Sequence, residues 1–491
     1  MTQVGWTPPS KLSPKSLKLG GGWTLRYNPL VSQLLRHFTR VIDGATWRNT
    51  LLGLLPRSVF MRPLGVVIFT ACSCCCYANA SVVSPVKRSA SLPRKQLGSS
   101  DMMVTEVCAG TMTWGSFVQQ EEEAHAQLDA MVELGVNFID TAELYPVAFN
   151  YGETTEQWIG NWLETRVSTG MMRREDLYIA TKCNPAGIGS PEGSAHNFSA
   201  ARLESSARAS LARLKVDYID LYYLHFPSRL GFGGFGWASY GTPERYESTR
   251  TSDGSAADID RQVLGVKRLF ELGLIKHWAL SNENSYGLTM FCLACDRLDV
   301  PRPVCVQNDM SLNNRAYEGD VAEAAYQFGV VGLPYGALGG GVLTGKYLDA
   351  ALQSDGGRPM EVSRMKARPD FQPRYAAPLA IAATAEYVAL ASKYGLKPLE
   401  LALAWARDRW YNGGVIIGMT SVPQLVDCVN AFKLEALPAA LNDEIDAIHE
   451  RYRNPSAAYA NKELVLKAPW LEAGAGSAGG GGASSVGHDE V

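Results

Sequence analysis

The feature that most constrains this chain is an alternation of short apolar runs with stretches of helical periodicity. The apolar runs are Val104–Ala109, Asn137–Thr141, Leu177–Lys182, Tyr218–His225, His277–Ser281, Val304–Asn308, Val330–Pro334 and Val415–Gly418. Helical patterns separate or follow them at Glu121–Leu134, Thr154–Val167, Ala200–Leu214, Ile259–Leu272, Tyr286–Leu298, Asp320–Phe328, Pro378–Tyr394, Leu399–Arg409 and Val422–Phe432. Glycine follows two of these helices, at Gly135 and Gly273, where a left-handed C-cap is expected. Alternation of this kind predicts a parallel sheet with helices outside it. Eight strands in one domain fit a closed (β/α)8 TIM barrel better than an open sheet. Before the first run, Leu92–Leu97 and the polar Ser99-Ser100-Asp101 predict a hairpin capping the barrel floor. After the last helix, a C-terminal helical and extended tail completes the expected fold.

The two ends read differently. Residues 1–90 carry eleven Lys/Arg against the single acid Asp43, although the whole chain has a net charge of −3. That composition, rich in Ser, Leu and Arg, is that of an organelle transit peptide, directed to plastid or mitochondrion. Nested inside it, Met61-Arg62 precedes an apolar run from Leu64 to Tyr77 and the A-x-A site Ala78-Asn79-Ala80. The run is shorter than the ~20 residues a membrane span needs. The leader is therefore a transit peptide, a two-part signal, or an upstream extension of a protein starting at Met61. If it is inactive, the protein is expected in the cytoplasm. Residues 91–470 are assigned to the barrel, and 471–491 to a Gly/Ala/Ser-rich disordered tail. No stable membrane insertion of the mature protein is expected, and a homo-oligomer is left open.

Beyond the leader the chain is acidic, which argues against nucleic acid as a partner, since phosphate binding needs a basic footprint. Of ten cysteines, Cys72, Cys74, Cys75 and Cys76 lie in the leader; the others are scattered, mostly in apolar segments. Cys292 and Cys295 have CxxC spacing, but without two further ligands nearby no metal site is expected. Reduced interior cysteines are the simpler reading.

Barrel active sites lie at the C-terminal ends of the strands. Those ends carry Asp140 (with Tyr145 just after it), Lys182 and His225. Taken singly, Asp140 could cap a turn and His225 could be a core histidine. Lys182 is harder to dismiss, because a lysine ending a buried strand needs a counter-charge. Together they suit carbonyl reduction. Hydride attack builds negative charge on the carbonyl oxygen, so a proton donor must sit there. Tyr145 can donate; an ammonium at Lys182 favours its phenolate, Asp140 holds that lysine charged, and His225 can orient the carbonyl. A Schiff-base lyase built on Lys182 is the competing use of a barrel lysine.

The run Asn137-Phe138-Ile139-Asp140-Thr141-Ala142-Glu143-Leu144-Tyr145 resembles the Asp-to-Tyr signature of aldo-keto reductases. Ala109-Gly110-Thr111-Met112-Thr113-Trp114-Gly115, Leu280-Ser281-Asn282-Glu283, Val306-Gln307-Asn308 and the glycine-rich Leu338–Tyr347 segment are similar to its other landmarks. The likeness runs from about Leu92 to Asn454. Tyr145-Pro146-Val147 and Gly152-Glu153-Thr154-Thr155-Glu156 resemble the Tas-like branch, related to the potassium-channel β-subunits.

The resemblance implies an NADPH-dependent reductase of small-molecule aldehydes and ketones, with NADH not excluded. Gly110, Thr111 and Met112 would lie at the cofactor. Ser281, Asn282 and Gln307 would hold the nicotinamide carboxamide, and Tyr335 would stack on the ring. Leu338 and Gly340 would cradle the pyrophosphate with Lys346, and Gly418, Thr420 and Gln424 the adenosine phosphates. Apart from the resemblance, the Ser228–Asp258 insert is too long for a plain connection and reads as a lid, with Trp114, Phe226 and Trp237 lining the substrate pocket, or as a solvated loop. Three positions depart from the family pattern: Gly336 replaces a usual Ser, Cys428 a usual Asn, and Phe226 a usual Trp. The likeness to channel subunits also leaves open a nucleotide-sensing regulatory subunit with little turnover.

Overall fold

Parallel pairing runs through all eight apolar runs in the computed structural model. It describes residues 15–19, 23–27, 86–146, 154–185, 198–229, 232–233, 254–348, 354–355, 358–359 and 372–456. The barrel strands are β1 (Val107–Gly110), β2 (Phe138–Asp140), β3 (Tyr178–Cys183), β4 (Ile219–Leu224), β5 (Ile275–Ser281), β6 (Cys305–Gln307), β7 (Val331–Gly332) and β8 (Val415–Gly418). They lie in the order 7-6-5-4-3-2-1-8, each parallel to its neighbours. Between β7 and β8 the seam is closed by a parallel bridge from Gly332 to Asn412. There Ile416 N donates to Pro334 O at 2.9 Å and Gly413 N to Gly332 O at 2.7 Å. The architecture is a (β/α)8 barrel.

The outer helices are α1 (Glu121–Glu133), α2 (Thr154–Ser168), α3 (Ala200–Leu214), α4 (Gly254–Glu271), α5 (Ser285–Leu298), α6 (Ala322–Phe328), α7 (Pro378–Lys393), α8 (Pro398–Arg407), α9 (Val422–Ala431) and α10 (Ala439–Arg451). Their boundaries follow local chemistry. Ser199 caps α3 by accepting from Arg202 N, and Asn284 caps α5 by accepting from Gly287 N. Pro378 and Pro398 open α7 and α8, where a missing N–H costs nothing. Gly135 and Gly273 have φ of +84° and +69° after α1 and α4. Among the described residues no helix is long and apolar enough to cross a membrane.

Among the elements whose extent differs from expectation, two show why. The run from Val104 to Ala109 splits at Glu106 into a hairpin strand (Met103–Thr105) and β1. Thr105 Oγ1 donates to Val107 O at 2.7 Å, while Glu106 N pairs with Pro93 O, so the chain changes sheets there. Helix α4 starts at Gly254, although apolar periodicity starts only at Ile259; Ala257 is exposed and Ile259 buried.

The hairpin of Arg94–Gln96 with Met103–Thr105 plugs the floor. Leu97, Met102 and Val104 share one buried cluster with Cys108, Phe138, Ala180, Leu221, Tyr223, Ala279, Cys305, Leu333 and Ile416 from inside the barrel. The six cysteines outside the leader are all buried. Lys15–Leu19 and Trp23–Tyr27 form a separate antiparallel hairpin within the unit Met1–Val83. Leader residues 1–14, 20–22 and 28–85 and the 471–491 tail lie outside the described residues, as does most of the Ser228–Asp258 insert, including Trp237. Of that insert, Ser228–Arg229 pairs with Phe232–Gly233.

Candidate active site

The inward cluster sets which residues meet at the barrel mouth. Successive residues of a strand point to opposite faces, so the residue two beyond an inward one is also inward. From Phe138, Ala180, Tyr223, Ala279, Cys305 and Leu333, one such step reaches Asp140, Lys182, His225, Ser281, Gln307 and Tyr335. Strand register alone therefore gathers most of the predicted site. Tyr145 joins from the turn after β2, where its N–H donates to Ala142 O at 3.1 Å.

Lys182 is fully buried. Its ammonium is paired with Asp140 and donates to Thr141 O at 2.8 Å and to the Tyr145 hydroxyl at 3.3 Å. Burial pulls the lysine pKa down, but Asp140 and Tyr145 outweigh it and hold the group above its ordinary value, firmly charged. The second Asp140 oxygen accepts from Gln307 Nε2 at 2.8 Å. Both carboxylate oxygens are thus engaged, which fixes the lysine against the phenol.

His225 stands edge-on to Tyr145, with ring centroids 5.8 Å apart. Burial, reinforced by Lys182, pushes its pKa well below the usual histidine value, so the ring is neutral at physiological pH. Among the described residues its buried Nδ1 has no hydrogen-bond partner. A neutral imidazole beside a phenol and a charged lysine can position a carbonyl and supply its oxygen with donors.

The predicted cofactor residues lie at the ends of β1, β5, β6 and β8 and in the segments after β1, β5, β7 and β8. Asn282 adopts φ +58°, donates from Nδ2 to His225 O at 3.0 Å and accepts the Tyr335 hydroxyl at 2.8 Å. Ser281 Oγ donates to Gln307 O at 3.0 Å. Gly110 ends β1 where any β-carbon would meet Ile416 and Ile417; Thr111 Oγ1 donates to Asp140 O, and Met112 follows, half-buried. Leu338 leads into a 3-10 turn with Gly339, Gly340 and Gly341 at φ +56°, +63° and +96°. A β-carbon on Gly341 would sit 3.1 Å from Lys346 Nζ, so the lysine curls back over this glycine backbone. Backbone freed of side chains and capped by an ammonium fits an anionic pyrophosphate. Gly418 is exposed at the end of β8, and Gln424 Oε1 accepts from Thr420 N and Oγ1 at 3.0 and 3.2 Å at the start of α9.

Two of the proposed pocket residues, Phe226 and Trp114, are described. Phe226 stacks on His225 at 4.4 Å. Trp114 is buried, with its indole N–H on Gln127 of α1 at 3.2 Å. Two supports escaped sequence reasoning. Glu143 accepts from Asn184 N and Arg202 Nη2, both at 2.7 Å, and from Ser206 Oγ, fastening the Asp140–Tyr145 turn to the end of β3. Its place inside the signature run was the available signal. Beneath Tyr335, Asp309, Arg374 and Tyr375 form a buried cluster, with Arg374 Nε to Asp309 Oδ2 at 2.9 Å and Tyr375 Oη to Asp309 Oδ1 at 2.8 Å. No short-range pattern links residues 65 positions apart.

Comparison with known proteins agrees with this geometry. The model of the aldo/keto reductase family matches residues 106–450. The chain belongs to the aldo/keto reductase family. It is 34% identical to Protein tas of Escherichia coli over 366 residues, 73% of this chain and 97% of that protein. An aldo-keto reductase of Babesia bovis is 30% identical over half of this chain and 85% of that protein. A probable voltage-gated potassium channel subunit beta of rice (Oryza sativa subsp. japonica) is 25% identical over 72% of this chain and 94% of that protein. As a Tas-like aldo/keto reductase, the chain is an oxidoreductase of a family that works with nicotinamide cofactors.

Proposed function

We propose that this aldo/keto reductase reduces aldehydes and ketones to alcohols with NADPH, Tyr145 giving the proton. The observation that carries the reading is the buried Lys182, held between Asp140 and the Tyr145 hydroxyl beside a neutral His225. NADPH supplies the hydride that adds to the carbonyl carbon. Tyr145 protonates the carbonyl oxygen as its negative charge develops, and Lys182 stabilises the phenolate left behind. Asp140 keeps Lys182 charged and immobile, with Gln307 holding the second carboxylate oxygen. His225 orients the substrate oxygen. Ser281, Asn282, Gln307 and Tyr335 seat the nicotinamide end, and Leu338–Gly341 with Lys346 the pyrophosphate. Thr420 and Gln424 receive the adenosine end at the start of α9. NADPH rather than NADH rests on the family, since no Arg or Lys lies between Thr420 and Cys428 to pair a 2′-phosphate. The purified chain is expected to oxidise NADPH only when an aldehyde or diketone is added. Cofactor consumption that ignores the carbonyl would contradict the proposal.

The likeness to channel β-subunits favours a second reading, in which the protein senses nucleotide and turns over little. Single-turnover hydride transfer separates the two: a reductase transfers in seconds or faster, a sensor over many minutes.

A further inference from the structure

The register that gathers the site reaches one further residue. Lys182 pairs with Tyr223 and Cys183 with Leu224, so the next step of the β3–β4 ladder sets Asn184 beside His225. His225 N donating to Cys183 O at 2.9 Å is the last bond of that ladder. Asn184 lies two residues beyond Lys182 and shares its inward face. Neighbouring strands are about 4.8 Å apart, which at this register sets the Asn184 backbone beside that of His225.

Asn184 is 3% exposed, and among the described residues its buried Oδ1 has no hydrogen-bond partner. Its backbone is held from outside: Glu143 Oε1 accepts from its N–H at 2.7 Å, and its carbonyl accepts from Arg202 Nη2 at 3.5 Å. An amide held rigidly by its backbone, with an orphaned acceptor, costs stability unless something arrives to satisfy it. Tyr145, Lys182 and His225 serve the reacting oxygen. Asn184 stands one strand position aside from that point.

We infer that Asn184 is a specificity-determining residue that hydrogen-bonds a hydroxyl on the carbon next to the reacting carbonyl, making α-hydroxy aldehydes and ketones the substrate class. This rests on the carbonyl-reductase reading above and adds what the second carbon must carry. A hydroxyl meets the need because it donates to Oδ1 and also accepts from the amide N–H. A diketone oxygen only accepts, and leaves Oδ1 as it is. Sites built to pair a substrate hydroxyl discriminate against analogues lacking it far more strongly than apolar pockets discriminate by shape.

The test compares kcat/KM for two near-isosteric pairs, hydroxyacetone against butanone and glycolaldehyde against propanal, with NADPH and the full chain. The hydroxylated member should be favoured by about tenfold or more. Asn184→Leu should bring that ratio down at least tenfold, chiefly through KM of the hydroxylated substrate, and Asn184→Ser should keep most of it. Quenching of NADPH fluorescence reports whether each variant is folded. If Asn184→Leu does not fold, Asn184→Ala takes its place. A ratio near one in the unaltered chain, or an unchanged ratio in a folded apolar variant, overturns the inference alone. No NADPH oxidation with any of these, nor with an activated diketone, overturns the carbonyl-reductase reading and the inference with it.

Discussion

At the scale of single residues, the site depends on charges placed where water is excluded. His225 is neutral because burial and Lys182 oppose its protonation. Its folded pKa lies below the unfolded value of 6.5, so the unfolded chain takes up a proton first as the pH falls. Stability from this group is complete above pH 6.5 and is lost on acidification through the window down to the folded pKa. Between pH 7.5 and 5.5 the urea unfolding free energy should fall through His225, by on the order of 1 kcal/mol. The fall should be smaller by that amount in His225→Gln. His449 shifts in the same direction through its own burial and contributes equally to both proteins. Gly336 explains one departure from the family pattern. At φ +75°, a β-carbon there would lie 2.4 Å from Asp309 Oδ1 and 2.5 Å from Tyr375 Oη. Restoring the family's serine with Gly336→Ser should therefore destabilise the protein by about 1–3 kcal/mol rather than recover a contact. Thermal unfolding measures this; an unchanged Tm would show that the Asp309–Arg374–Tyr375 cluster yields easily.

At the scale of elements, the end of α9 illustrates how the helix after β8 is fastened. Arg407, 6% exposed on α8, donates to the carbonyls of Phe432 and Leu434 at 3.2 and 2.6 Å and to that of Glu435 at 3.2 Å. These contacts satisfy carbonyls at and beyond the C-terminus of the helix whose N-terminal end carries Thr420 and Gln424. Arg407→Ala leaves them buried without donors and should cost about 2–4 kcal/mol in urea unfolding; a cost below about 0.5 kcal/mol would mean that water replaces the guanidinium. Most elements were legible because periodicity and end signals agree, as in α3, whose bounds Ala200–Leu214 are those expected from sequence. The split at Glu106 was not legible, because one continuous apolar run serves two sheets in succession. Asp140, Lys182 and His225 were legible as strand ends with unusual residue types. The side-chain tie from Gln307 to Asp140 was not, since β6 and β2 stand on opposite parts of the barrel and only closure brings them together. Asn184 lay in plain view after Lys182, but its significance depends on register with His225, which sequence spacing does not carry.

At the scale of the whole molecule, the barrel body takes hold of the chain within the last residues of the segment assigned to the leader. Ser89 N donates to Lys433 O at 2.6 Å, Glu435 N to Lys87 O at 2.8 Å, and Arg88 reaches Glu400 at 2.7 Å. Cleavage after Ala80 would spare all three contacts, and N-terminal sequencing of the mature protein should find Ser81 first; a start beyond Ser89 would contradict this. The central claim concerns what the barrel does once assembled: Tyr145, held by Lys182, gives the proton during hydride transfer. The direct measurement is NADPH oxidation with an aldehyde or diketone by the unaltered chain and by Tyr145→Phe, alongside their unfolding curves. The proposal predicts superimposable unfolding and a loss of turnover of about 10²–10⁴-fold in the variant. Full activity in a folded Tyr145→Phe protein would contradict it.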